Sequence, residues 1–341
     1  MSLTESTAPL SRAPSGRIVS LDVIKILSAF MVVFYHYRFF DLGHFENGRY
    51  LLSVPQFLLC LCSASVPLFF MVNGALLLNR DLSVQQIYAK AGRLALVAVV
   101  WDWLVDYYSW FLYALLVLYL LYPILHRAYR AKSKVWALLI MGAVFLMPFL
   151  YNLGIVLLMR FAPGFSFRIF GRTLSLRTLP LRTGVFRLYS ILYYMLGAFL
   201  LDRRLPPLVS VLLIVLGQAV TVADVVVTSN YTGQIADAVN YCFPTVGALL
   251  LALGFFTLLR CFDRIANPRL KRLLASLGSG VLTTYLLHVS IRSVLQATIL
   301  PPGRQYSALL IAGIALAVCL LCWLIDLLLK KIPLVRELVS L

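Results

Sequence analysis

Apolar runs close to ~20 residues, the length that carries a helix across ~30 Å of hydrocarbon, recur along this chain with few breaks, and no other feature constrains its fold as strongly. They fall at 19–39, 51–78, 94–106, 109–125, 135–158, 185–201, 207–228, 240–259, 276–299 and 306–329. The composition agrees, with 62% hydrophobic and 13% charged residues, where a soluble domain is about half apolar and a quarter charged. The fold class is therefore all-α, a polytopic transmembrane helical bundle of about ten spans. A polar tail covers 1–18, the transmembrane domain 19–332 and a C-terminal tail 333–341. The first run carries Asp22 and Lys25 and has no small-residue cleavage site after it, which marks a retained span and not a signal peptide.

The net charge of +17 comes from 30 Lys and Arg against 13 Asp and Glu. The basic residues flank the apolar runs, where membrane topology places them, so they give no support for nucleic-acid binding. Clusters at Arg12/Arg17, Arg80–Arg93, Arg127–Lys134, Arg203/Arg204, Arg260–Arg272 and Lys330–Arg336 occupy alternate connections. The positive-inside rule then puts all of them, and both termini, in the cytoplasm. Residues 94–123 are nearly unbroken and read as a short hairpin, with Trp101–Asp106 as its outer turn, because one crossing would split two basic clusters between opposite sides. The connection 159–187 departs from this pattern: it holds six arginines, among them Arg168, Arg172 and Arg177, with no lysine and no acid. On this topology it lies outside, where guanidinium groups pair with phosphate or carboxylate, either anionic lipid headgroups or an anionic partner. The six cysteines have neither zinc-finger nor oxidoreductase spacing and read as packing residues, and no metal centre is expected.

Charges within spans are costly and so mark candidate sites. Lys25 and His36 are eleven residues apart; eleven steps of ~100° return to within ~20°, placing both on one face roughly 16 Å apart along the axis. Asp22 lies near that face and can pair with Lys25. Imidazole titrates near neutrality and can take a proton from a hydroxyl, which makes His36 a candidate base. Asn73 and Gly74 put an amide and a helix-loosening glycine at membrane depth. Lys90 and Arg93, three residues apart at the mouth of the third span, can grip a phosphate or serve as ordinary anchors. Tyr285, His288 and Arg292 share a face of the ninth span and could line a polar cavity. His44 and His126 read as loop residues. Neither a nucleophile elbow, a zinc motif nor a phosphate-binding loop is present, so any chemistry rests on His, Lys, Arg and hydroxyl groups.

Taken in order, these residues resemble membrane-bound acyltransferase family 3, bacterial O-acyltransferases that decorate cell-surface glycans and some lipids. The resemblance spans nearly the whole chain. It rests on Lys25 and His36 within LDVIKILSAFMVVFYHY, on VPLFFMVNGALLL at 66–78, on Lys90 and Arg93, and on WFLYALLVLYLLYPIL, YYMLGAFLL and TTYLLH downstream. Lysine stands at 25 and 90 where the family usually has arginine, which keeps the charge but loses the bidentate fork. The connection between the third and fourth spans is shorter than usual.

The resemblance implies that His36 is the catalytic base or acyl relay, with Lys25 and Asp22 beside it in function. It implies that Lys90 and Arg93 handle a cytoplasmic acyl-coenzyme A, commonly acetyl-CoA, as co-substrate, with no cofactor permanently bound. The acceptor is then a glycan or lipid-linked sugar hydroxyl, with Asn73, Tyr285, His288, Arg292, Arg168, Arg172 and Arg177 as candidate substrate-binding residues. The location is the bacterial inner membrane. Two other readings stand beside it: a transporter or flippase for an anionic lipid or glycan, and a non-catalytic partner within glycan-assembly machinery.

Overall fold

A computed structural model describes residues 17–105, 109–147, 166–169, 172–175, 188–239, 243–301 and 303–339. In chain order its elements begin with α1 (Val19–His36), the hairpin β1 (Gly43–Glu46) and β2 (Arg49–Leu52), α2 (Val54–Leu61) and α3 (Ser65–Leu77). Then come α4 (Val84–Val105) and α5 (Trp110–Arg130), followed by α6 (Val135–Met147). The hairpin β3 (Ser166–Ile169) and β4 (Arg172–Ser175) precedes α7 (Tyr189–Leu200), α8 (Pro207–Thr232) and α9 (Val246–Leu259). The described chain ends with α10 (Pro268–Ser279), α11 (Val281–Thr298), α12 (Ala308–Leu329) and α13 (Pro333–Val339).

Helices dominate because a chain in hydrocarbon must satisfy its backbone groups within each segment. A helix stands on each of the ten sequence-derived runs. Among the described residues, however, only six helices are long and apolar enough to cross a membrane, or seven if the α10–α11 pair, bent by 52°, counts as one span. Helices α6 and α7 are too short for that set, and α4 is not among it. The helical-bundle class holds, and two short antiparallel hairpins stand beside the helices. The first is closed by Asn47 and Gly48, both at positive φ, the left-handed pair that a two-residue turn requires. It places His44 on a strand, not in a loop.

Helix α1 is the hub, packed against α3, α9, α10, α11 and α12. The tightest helix contact joins α3 to α7, and glycine makes it possible. A Cβ on Gly74 would meet the Tyr194 carbonyl oxygen at 1.7 Å, and one on Gly197 would meet the Met71 carbonyl oxygen at 1.9 Å. Without competition from water, helices gain most from such backbone approach. The periphery is apolar instead: α8 exposes Leu208, Leu212, Val215 and Leu216, and α12 exposes Leu309, Leu316 and Leu324. A surface of that kind suits lipid and not water.

Helices α4 and α5 form the hairpin read from the sequence, since α5 returns to the end from which α4 leaves. Arg130 pairs with Asp81 at 2.7 Å there. The turn differs in place, because Trp101 to Val105 continue α4 and the break falls after them. His126 sits in α5, stacked 5.0 Å from the Tyr122 ring and 3.4 Å from Asp81, and so is not a loop residue. At this same end, Arg260 reaches the Ser20 hydroxyl at 3.1 Å and Lys330 the Ser279 carbonyl at 3.2 Å. Basic clusters that are distant in sequence thus gather at one end of the bundle, the end where α1 begins.

Candidate functional site

That basic end opens into a cavity of about 840 Å³. Among the described residues five cations line it, Arg17, Lys25, Arg80, Lys90 and Lys330, against one acid, Asp22. The acid is already engaged: Lys25 Nζ lies 2.7 Å and Arg17 Nε 2.6 Å from its two oxygens. Asp22 is buried beside Gly278, where an added Cβ would come within 2.6 Å of Oδ1. The last turn of α10 therefore needs a glycine at 278 to pass this carboxylate. Lys330 is held in the same way by Asp326, buried in α12, at 2.6 Å, and Asp326 also accepts from the Thr283 hydroxyl at 2.7 Å. Carboxylates placed behind the cations fix their positions while leaving the cavity wall predominantly positive. Such a wall fits a polyanion carrying several phosphates.

Deeper in the bundle the cavity narrows to side chains of α1, α3, α5 and α11. Phe69, Phe111 and Tyr285 border it, and the Tyr285 hydroxyl accepts the Phe111 N–H at 3.3 Å. Asn73 also lines the cavity, its amide donating back to the Phe69 carbonyl at 2.9 Å. Beyond Phe69 and Tyr285 runs an apolar seam, bounded by Ala29, Val32 and Val33 and too narrow for a water molecule, that ends at His288. The His288 ring lies 6.0 Å from Tyr285 on one side and 4.9 Å from His36 on the other. His288 is fully buried, and Tyr37 donates to its carbonyl at 2.8 Å. A line of groups thus runs from Lys25 through Tyr285 and His288 to His36.

Around His36, at the far end of α1, the neighbours are charged again. Tyr35 donates to Asp237 at 2.5 Å, and Arg38 pairs with the same carboxylate at 3.0 Å while stacking over the Tyr35 ring. Burial alone would raise the Asp237 carboxyl, but the Tyr35 hydroxyl, the Val239 N–H and the Arg38 guanidinium together hold it below its ordinary range. The Arg292 guanidinium lies over the Phe39 ring at 5.2 Å, and its Nε has no hydrogen-bond partner among the described residues.

The sequence-derived residues divide into four sets. Lys25, Asp22, Asn73, Lys90 and Tyr285 share the basic-end cavity. His36 and His288 stand together beyond the seam, with Arg292 one turn farther along α11. Arg93 is separated from Lys90: it pairs with Glu337 of α13 at 2.7 Å and also donates to the Glu337 carbonyl. Arg168 and Arg172 fall on the strands of the second hairpin, while Arg177 lies outside the described residues. Sequence reasoning missed Asp326 and Lys330, although an acid inside a span four residues before a lysine was a readable signal. It also missed Asp237, which no local pattern ties to Tyr35 or Arg38.

The geometry defines a class, a helical membrane protein with a cation-lined cavity and, beyond it, a histidine pair of which His288 is buried and His36 half-buried. The acyltransferase domain model of acyltransferase family 3 matches residues 18–102 and 95–327, nearly the whole chain. The protein belongs to that family and is a multi-pass membrane acyltransferase. The overlap of the two matches falls in α4. No curated protein and no solved structure matches the chain.

Proposed function

We propose that this protein is an O-acyltransferase of the inner membrane that moves an acetyl group from cytoplasmic acetyl-CoA to a hydroxyl of a cell-surface glycan or lipid-linked sugar. The observation that carries the proposal is the line from the five-cation cavity to His36. With the basic end cytoplasmic, as the positive-inside rule asks, Lys25, Lys90, Arg80 and Lys330 hold the phosphates of coenzyme A. An extended pantetheine arm reaches ~16 Å from phosphorus to sulfur at ~1.2 Å per bond, the advance per bond of an extended peptide. Lys25 and His36 are ~16 Å apart along α1 by helical rise. The arm is therefore long enough to bring a thioester to the histidine pair once Phe69 and Tyr285 move aside to open the closed seam.

In this mechanism the acceptor hydroxyl approaches from the far end and gives its proton to His36 as its oxygen attacks the thioester carbon. The C–O bond forms, the C–S bond breaks, and the thiolate is protonated, so that the products are an ester and free coenzyme A. Lys25, held by Asp22, is too far from the reacting carbon to touch it and acts on the donor phosphates. Arg292 and Arg38, with Arg168, Arg172 and Arg177 of the arginine-rich connection, orient an acceptor that carries an anionic group. Glycan-assembly machinery and anionic lipid headgroups are the partners this location implies.

Incubating membranes that contain the protein with radiolabelled acetyl-CoA, then following label into extracted lipids and glycans, tests the proposal. Label in a saccharide-bearing fraction is the expected result, and its identity names the acceptor class. Absence of both label transfer and thiol release would overturn acetyl as the cargo. Neutralising Arg168, Arg172 and Arg177 without effect on acceptor affinity would remove the anionic-acceptor reading.

A further inference from the structure

His288 enters the reaction just described only as a neighbour, yet its surroundings fix more than its position. Its Nδ1 lies 2.7 Å from the Tyr285 carbonyl oxygen and 3.1 Å from that of Thr284. Carbonyl oxygens only accept, so Nδ1 carries the proton in the neutral ring and Nε2 is the basic nitrogen. Local backbone geometry within α11 thus assigns the tautomer. The position is equally specific, because His288 closes the seam that begins at Tyr285 and Phe69 on the donor cavity, while His36 is absent from the lining of both spaces. Of the two imidazoles, His288 borders the seam that adjoins the cavity, and His36 lies beyond it.

We infer that the two histidines divide the proton transfers of the acyl-transfer reaction proposed above, with His36 taking the proton from the acceptor hydroxyl and His288 Nε2 delivering a proton to the departing thiolate. The inference rests on that reading. The balance closes without any other reactant. One proton leaves the acceptor oxygen for His36, passes across the 4.9 Å ring pair to His288, and ends on sulfur, while the C–S electron pair leaves with the thiolate. A thiol with a pKa near 8.5, the ordinary value for cysteine, leaves a thioester more readily when protonated as it departs. The Nδ1–H bonds to the two carbonyls fix the tautomer, so that Nε2 is the nitrogen that takes up and passes on the proton.

The test compares two donors, acetyl-CoA and the acetyl thioester of a nitrothiophenol, whose thiolate departs without a proton. The substitutions are His288→Asn, which retains an N–H to bond the carbonyls, His288→Gln and His36→Ala. Each is assayed in membranes alongside the unaltered protein. With acetyl-CoA, both His288 variants should fall by about 100-fold or more in kcat, within the range of acid–base catalysis. With the activated thioester they should come to within about tenfold of the unaltered protein, since the assistance they lack is no longer needed. His36→Ala should be inactive with both donors. Equal losses on the two donors in both His288 variants would overturn the division of roles, as would full acetyl-CoA activity in either variant. Failure of the unaltered protein to use either donor would instead overturn the acyl-transfer reading.

Discussion

Lys25 Nζ stands 2.7 Å from Asp22 Oδ1, and both side chains form part of the cavity wall at the basic end of the bundle. The carboxylate is shared with Arg17, so one buried acid sets the position of two cations. Replacing Asp22 with Asn should release Lys25 and Arg17 from that arrangement. Replacing Lys25 with Met should leave Asp22 with Arg17 alone and remove one phosphate contact. A hydrogen bond to a charged group contributes about 1.5–3 kcal/mol, so each change should raise the donor KM by about tenfold to a hundredfold. Steady-state kinetics with varied acetyl-CoA measure this. An unchanged KM in both variants would place the phosphates elsewhere.

Lys90 and Arg93 should behave differently from each other, although their spacing invites a shared role. Lys90 lines the cavity, whereas Arg93 is occupied by Glu337 in a half-exposed pair. Exposed pairs contribute about 0–1 kcal/mol, so Glu337→Gln should leave stability nearly unchanged. Lys90→Ala should raise the donor KM clearly more than Arg93→Ala does. The two variants, assayed side by side, decide whether both residues or only Lys90 meets the donor.

The α3–α7 contact should tolerate no added methyl group. Gly74→Ala and Gly197→Ala each drive a Cβ into a backbone carbonyl, which cannot swing aside as a side chain can. Overpacking of this kind costs about 1–3 kcal/mol or more. Thermal unfolding in detergent should show a lowered midpoint for both. Gly92→Ala in α4 meets nothing within 4 Å and should be neutral or slightly stabilising, because alanine is the better helix former.

Acid should loosen the far end first. The Asp237 carboxyl is held below its ordinary value, so its ionic contacts add stability above about pH 3.9, the unperturbed value. That stability is lost as pH falls through the lower value of the folded protein. Asp237→Asn, which cannot pair with Arg38, should lower the unfolding midpoint at neutral pH and shrink the difference between neutral and acid conditions. Equal acid sensitivity in the variant and the unaltered protein would assign the effect to other groups.

Much of this architecture was legible because hydrocarbon imposes strong rules on sequence. Apolar run length marked the long helices, though not α13 in the expected tail nor the breaks that divide 51–78 and 276–299 into two helices each. The placement of Arg80–Arg93 and Arg127–Lys134 pointed to the α4–α5 hairpin, where Arg130 meets Asp81. Lys25 with Asp22 was readable from their i, i+3 spacing. The pairing of His36 with His288 was not, because helical spacing relates residues within α1 or within α11 but not across them. The pairing of Arg93 was hidden for a similar reason: its partner Glu337 lies in a short helix 244 residues away. The Asp237 contacts depend on a loop packed against α1, which leaves no periodic trace. The hairpin at Asn47–Gly48 was written in the sequence but overlooked beside the stronger apolar signal.

The central claim is that His36 performs chemistry while the cations of the opposite end hold the donor. Single-turnover transfer of labelled acetyl from acetyl-CoA, measured together with equilibrium binding of the same donor in the unaltered protein and in His36→Ala, tests it most directly. His36 is not part of the cavity lining, so the account predicts donor affinity within a few-fold of the unaltered protein and a loss of transfer of about 100-fold or more. Undiminished transfer by His36→Ala would contradict it.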